Sequence, residues 1–129
     1  MVYYLDECGI TEEHVKNVLK NYLEKNNWTC EIAWGKKKGI DIKATKNNQH
    51  WIIEAKGEGS RTQMRGNFFL SVLGEILQRM ENKSTKYSIA FPAMQRYKKL
   101  WDELPQLAKE RLNITCFFVD KENKVIEVT

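Results

Sequence analysis

The sequence predicts an α/β domain in which helices flank a mixed central β-sheet. Segments with apolar residues at helical spacing alternate along the chain with short strand-like runs. Two of those runs, Ile40 to Thr45 and His50 to Ala55, flank the polar cluster Lys46-Asn47-Asn48-Gln49, which reads as the corner of a β-hairpin. A later run, Ile114 to Val119, is apolar throughout, as a strand covered on both faces would be.

The elements follow in order. The spacing predicts a helix from about Thr11 to Lys25, with Thr11 as N-cap and Glu12 and Glu13 in the first turn, where negative charge complements the helix dipole. Val15, Val18, Leu19, Tyr22 and Leu23 form its apolar stripe. At about 100° per residue, Glu12 falls beside that stripe and Glu13 and Glu24 on the far side. Trp28 to Trp34 alternates as a first strand, with Trp28, Cys30, Ile32 and Trp34 on one face, and the hairpin follows. A polar stretch with three glycines, residues 57–66, is expected to be a flexible loop. A helix from about Asn67 to Glu81 comes next, broadly apolar through Phe68, Phe69, Val72, Leu73, Ile76, Leu77 and Met80. Lys86 to Phe91 is a strand ended by Pro92. Met94 to Asn113 divides into two helical pieces near Pro105, with Tyr97, Leu100, Trp101, Leu104, Leu107 and Leu112 inward. Val125 to Val128 pairs back on Ile114 to Val119.

Length and composition bound the function. A chain of 129 residues, 42% hydrophobic, builds one real core, so residues 1–129 are read as a single domain. No apolar run approaches membrane-spanning length, and Met-Val-Tyr-Tyr-Leu-Asp-Glu lacks a signal-peptide pattern, so the expectation is a cytoplasmic protein with no membrane partner. Three scattered cysteines fit no zinc site and suit a reducing compartment. His14 and His50 have no ligand partner in sequence. A net charge of +4 permits an anionic partner such as nucleic acid without demanding one.

Chemistry concentrates in the hairpin. Alternation puts Glu54 and Lys56 on one face of the second strand, and folding the hairpin brings Asp41 level with them. Two carboxylates with the main-chain carbonyl of Ala55 suit Mg²⁺, which takes hard oxygen ligands and usually one or two carboxylates. An adjacent lysine can orient a water and stabilise charge on a phosphorus under attack. The triplet alone is weak, since Asp41-Ile42-Lys43, Glu81-Asn82-Lys83 and Glu122-Asn123-Lys124 have the same form. Context singles out Glu54, which ends the apolar run Trp51-Ile52-Ile53, where a charge needs a reason. A structural salt bridge between Glu54 and Lys56 is the competing explanation.

Gly39-Ile40-Asp41, then Ile52-Ile53-Glu54-Ala55-Lys56-Gly57, with twelve residues of hairpin between Asp41 and Glu54, resembles the signature of the PD-(D/E)XK nuclease superfamily. Ile40 stands where the proline of that motif would be. The order helix, three strands, helix, strand is also similar to the superfamily's αβββαβ core, the restriction endonuclease-like fold, here with a C-terminal helix-strand-strand extension. The resemblance implies a Mg²⁺-dependent phosphodiesterase, with Mn²⁺ as substitute and Asp41, Glu54 and Lys56 as catalytic centre. It also implies an acidic residue on the first helix near the metal, for which Glu12 has the right phase, and a glutamine on the helix after the lysine, for which Gln78 is the candidate. Small members include junction-resolving, repair and restriction enzymes, often homodimers, so an endonuclease acting on DNA is expected, with RNA as the alternative substrate. Glu75 is expected to pair with Arg79, four residues on.

Basic groups frame this centre. The loop Gly35 to Gly39 carries Lys36, Lys37 and Lys38 directly before Asp41, placed to meet phosphates; a solvated turn is the plainer reading. Arg61, Gln63 and Arg65 are candidate phosphate contacts on the 57–66 loop. A non-catalytic nucleic-acid-binding or assembly module that kept the fold is the alternative to an enzyme.

Overall fold

The structure, a computed structural model, describes residues 1–35, 37–59 and 62–129, the first two residues of the last segment by backbone only. The elements are α1 (Glu12–Lys25), β1 (Thr29–Ile32), β2 (Ile42–Lys46), β3 (Gln49–Ala55), α2 (Thr62–Arg79), β4 (Lys86–Pro92), α3 (Gln95–Glu103), α4 (Gln106–Leu112), β5 (Ile114–Val119) and β6 (Val125–Val128). The six strands form one sheet in sequence order. β1, β2 and β3 run antiparallel, β3, β4 and β5 parallel, and β6 antiparallel to β5, so the sheet is mixed. Both the expected αβββαβ order and the C-terminal extension are present.

Two local signals fix the part of the chain that matters most. The Thr11 hydroxyl accepts the His14 N–H at 3.1 Å and starts α1 where its sequence predicts. The hairpin turns on two residues, Asn47 and Asn48, with φ of 49° and 68°, a type I′ geometry that asparagine tolerates and that matches strand twist. That turn sets Lys46 opposite Gln49 and Ile42 opposite Ile53. One step further, the same register sets Asp41 opposite Glu54.

Helices cover both faces. On one, Tyr22 of α1 meets Phe117 edge-on. On the other, Phe69 of α2 stacks on Phe91, which stacks on Tyr97 of α3. α1 touches every strand of the sheet, and α2 rests on β3, β4 and α3. The buried core runs from Val15, Leu19 and Leu23 through Ile42, Ile53, Ile89 and Phe117 to Trp101.

Several expectations are corrected. The 57–66 segment is not a loop throughout, because α2 begins at Thr62 and takes Gly66 into its second turn. β1 stops at Ile32, leaving Trp34 42% exposed outside the inward face. Leu77 and Leu107, expected inside, are exposed, since α2 and α4 are each covered on one side only. Cys8, Cys30 and Cys116 are free thiols. Among the described residues, no helix is long and apolar enough to cross a membrane.

Candidate metal centre

Asp41 and Glu54 grip each other through the backbone. The Asp41 N–H donates to Glu54 Oε2 at 2.9 Å, and Asp41 Oδ2 accepts the Ala55 N–H at 2.9 Å. The Asp41 carbonyl takes the Ala33 N–H at 3.0 Å, closing the end of β1 onto the same point. Glu54 is fully buried. Burial pushes its carboxyl up to about 7, helped by the Asp41 charge and opposed by the Asp41 N–H and Arg79.

α2 supplies the third carboxylate. Oxygens of Asp41, Glu54 and Glu75 lie within 4.8 Å of one another. Glu75 is itself held above the ordinary carboxyl range, chiefly by burial and then by the charges of Asp41 and Glu12, against the pull of Lys56 and Arg79. The expected Glu75–Arg79 pair does not form the principal contact: Arg79 Nε bonds Glu54 Oε1 at 3.1 Å. A buried carboxylate is the more demanding partner, and α2 places Arg79 within its reach. The signal was in the spacing, since Phe68, Val72, Glu75 and Arg79 share one helical face.

α1 reaches round the sheet end from the other side. Glu12 sits at the site, as its phase suggested, but its carboxylate lies on two lysines, Lys16 Nζ at 3.0 Å and Lys56 Nζ at 3.8 Å. Lys56 stands between Glu12 and Glu75, 3.9 Å from the latter, with Phe68 beneath it at 5.5 Å. Lys16, absent from the sequence reading, is a buried member of the centre. It shares its helical line with Glu12, Leu19 and Leu23, which is where the signal lay.

Local packing fixes this convergence. A Cβ on Gly57 would lie 2.5 Å from the Glu12 nitrogen, so only glycine lets the chain leaving Lys56 pass under the start of α1. The Tyr97 hydroxyl donates to the carbonyls of Gly57 at 2.8 Å and Glu58 at 3.0 Å.

The remaining predicted residues divide. Lys37 and Lys38 are exposed on the loop before Asp41, whose Gly35 N–H is held by Glu13 at 2.8 Å. Lys36, Arg61 and the Gln63 side chain lie outside the described residues. Gln78 is exposed one turn beyond Glu75, and it is Glu75 that meets the other carboxylates. Arg65 is corrected from a phosphate contact to a structural tie. It is 7% exposed and donates to the carbonyls of Asp6, Glu58 and Gly59 and to the Glu58 carboxylate. Glu58 in turn accepts the N–H groups of Cys8 and Gly9.

The centre is sealed at Glu54, whose side chain is 1% exposed, and open at Glu75, Glu12 and Lys56, at 36%, 32% and 26%. It is a set of hard oxygen donors backed by fixed cations on a mixed α/β domain. No family model and no curated protein matches the chain. Among solved structures it is similar to an XisH family protein from Nostoc punctiforme, at 18% identity and a TM-score of 0.59, covering 89% of this chain and 98% of that one. It is likewise similar to an fdxN element excision controlling factor protein from Anabaena variabilis, at 17% identity and a TM-score of 0.58, with the same coverage. At these identities the likeness is one of fold.

Proposed function

We propose that the chain is a Mg²⁺-dependent nuclease of the PD-(D/E)XK type that hydrolyses DNA phosphodiester bonds, with Mn²⁺ able to replace Mg²⁺. The observation that carries this reading is the approach of Asp41, Glu54 and Glu75 to within 4.8 Å, beside Lys56, at a solvent-open sheet end. Carboxylates so close repel one another without a cation, and their oxygens are the donors Mg²⁺ takes. Asp41, Glu54 and Glu75, with the Ala55 carbonyl, would hold the ion. When bound, it supplies Lewis acidity and makes a coordinated water easier to deprotonate.

The chain's own residues do the rest. Lys56 orients the attacking water and faces the negative charge that grows on the phosphate. Glu12 and Glu75 hold its ammonium from two sides. Arg79 keeps Glu54 turned toward the centre. Lys37 and Lys38 draw in the substrate backbone by sequence-independent, salt-sensitive contacts. A neighbour named for control of the excision of an element suits a substrate of DNA.

The test is cleavage of labelled single-stranded, duplex and branched DNA, and of RNA, with Mg²⁺ or Mn²⁺. Cutting that disappears on chelation and in Lys56→Ala is expected. If wild type and Lys56→Ala give the same background, the enzyme reading fails. That result, with DNA binding retained, would favour the non-catalytic module, a reading that one neighbour's designation as a controlling factor also suits.

A further inference from the structure

Lys16 is a charged side chain with 1% exposure whose ammonium lies among three oxygens. Its ammonium donates to the Ala33 carbonyl at 2.6 Å, meets Glu12 Oε2 at 3.0 Å and lies 3.6 Å from Asp41 Oδ1. The contacts to Ala33 and Glu12 are within hydrogen-bond reach, and the 3.6 Å approach to Asp41 is an ion pair without a hydrogen bond. Burial alone would lower the lysine's pKa, yet Glu12 and Asp41 hold it above the ordinary value. The group is a fixed cation.

Its position decides how many metal ions the centre admits. Asp41 divides its two oxygens: Oδ2 turns to the Ala55 N–H, beside Glu54, and Oδ1 turns to Lys16. A second divalent ion bridged by Asp41 would sit about 3.5–4 Å from the first, as in two-metal sites. Among the described residues, the oxygens that would face it on the α1 side include Asp41 Oδ1, Glu12 Oε2 and the Ala33 carbonyl, the three around the Lys16 ammonium. We infer that Lys16 takes the place of a second metal, so that the centre holds one divalent ion, bounded by Asp41, Glu54 and Glu75. This rests on the metal-binding part of the reading above. Lys16 is a positioning residue here, since it touches Asp41 and not the reacting atoms.

The experiment is a Mn²⁺ titration of the full chain without DNA, following free Mn²⁺ by its spin-resonance signal. About one ion per chain is expected for wild type. Lys16→Met keeps the volume but takes the cation away from these oxygens, and there about one further ion should bind, with a spin-coupled signal from the pair. Two ions in wild type overturn the inference while leaving the nuclease reading intact, as does a folded Lys16→Met that still binds one. No ion in wild type overturns the metal-binding reading and this inference with it. Should Lys16→Met fail to fold, manganese anomalous scattering from wild-type crystals decides: one peak beside an intact Lys16–Asp41 contact supports the inference, and two peaks overturn it.

Discussion

Ser88 and Glu54 are both fully buried polar side chains, one register step apart on β4 and β3 but on opposite faces of the sheet. Ser88 is closed into a circuit. Its hydroxyl accepts the Trp51 indole N–H at 2.8 Å and lies 2.5 Å from Thr115 Oγ1, which donates to Glu127 at 2.7 Å. Because the Thr115 proton is spent on Glu127, Ser88 is the donor to Thr115. Lys86 completes the circuit, 2.7 Å from Glu127 and 4.0 Å above the Trp51 ring. Glu54 is different: its partners leave an excess of carboxylates close together, open to water at Glu75 and Glu12. Saturated burial of a polar group serves packing, whereas burial with surplus charge of one sign is what a binding centre needs.

The strongest way to break that contrast is to neutralise each group in turn. Glu54→Gln should cut Mg²⁺-dependent cleavage by at least about 100- to 1000-fold, the scale of losing one charge-stabilising group. Its melting temperature without metal should be unchanged or higher at neutral pH, because a buried charge has been removed. A variant that loses both activity and fold would make Glu54 structural after all.

The second effect is on stability as a function of pH in the absence of divalent ions. The Glu54 carboxyl rises from an ordinary 4.5 to about 7 on folding, so the folded state holds its proton more tightly than the unfolded one. The stability this confers is complete below the unfolded value and is lost as pH climbs through about 7, amounting to roughly 3 kcal/mol. Denaturant midpoints should therefore fall between pH 5 and 8 in wild type, hold flatter in Glu54→Gln, and recover when Mg²⁺ is added.

Ser88→Ala should behave in the opposite sense to Glu54→Gln. It strands the Trp51 N–H and should cost about 1–3 kcal/mol in urea unfolding, with cleavage unchanged. The smallest effect belongs to the basic loop. Lys37→Ala with Lys38→Ala should weaken DNA binding several-fold and lower its salt dependence, with no change in the metal requirement. Identical salt slopes for wild type and the double variant would remove that loop from the interface.

What could be read from the sequence follows the range of the forces involved. The hairpin, the pairing of Asp41 with Glu54 and the start of α1 depend on period-two alternation, an Asn-Asn turn and a threonine cap, all local. Lys16, Glu75 and Arg79 joined the centre only when elements distant in sequence met: Lys16 reaches Ala33 and Asp41, and Arg79 reaches back to Glu54. Arg65 misled for the same reason. A glycine-rich stretch reads as loop until Arg65 is seen bonded to Asp6, fifty-nine positions earlier in the chain. Glu12 was placed at the right end of the molecule by helical phase, but phase says nothing of which charge its carboxylate will face.

Tyr97 belongs to α3, beyond the strands and helices that carry the acidic cluster, yet its hydroxyl pins the two peptide carbonyls that follow Lys56. The C-terminal third of the protein thus acts at a distance as a brace for the lysine. A core transplanted without it would keep all four acidic groups and lose the anchor that aims their cationic neighbour.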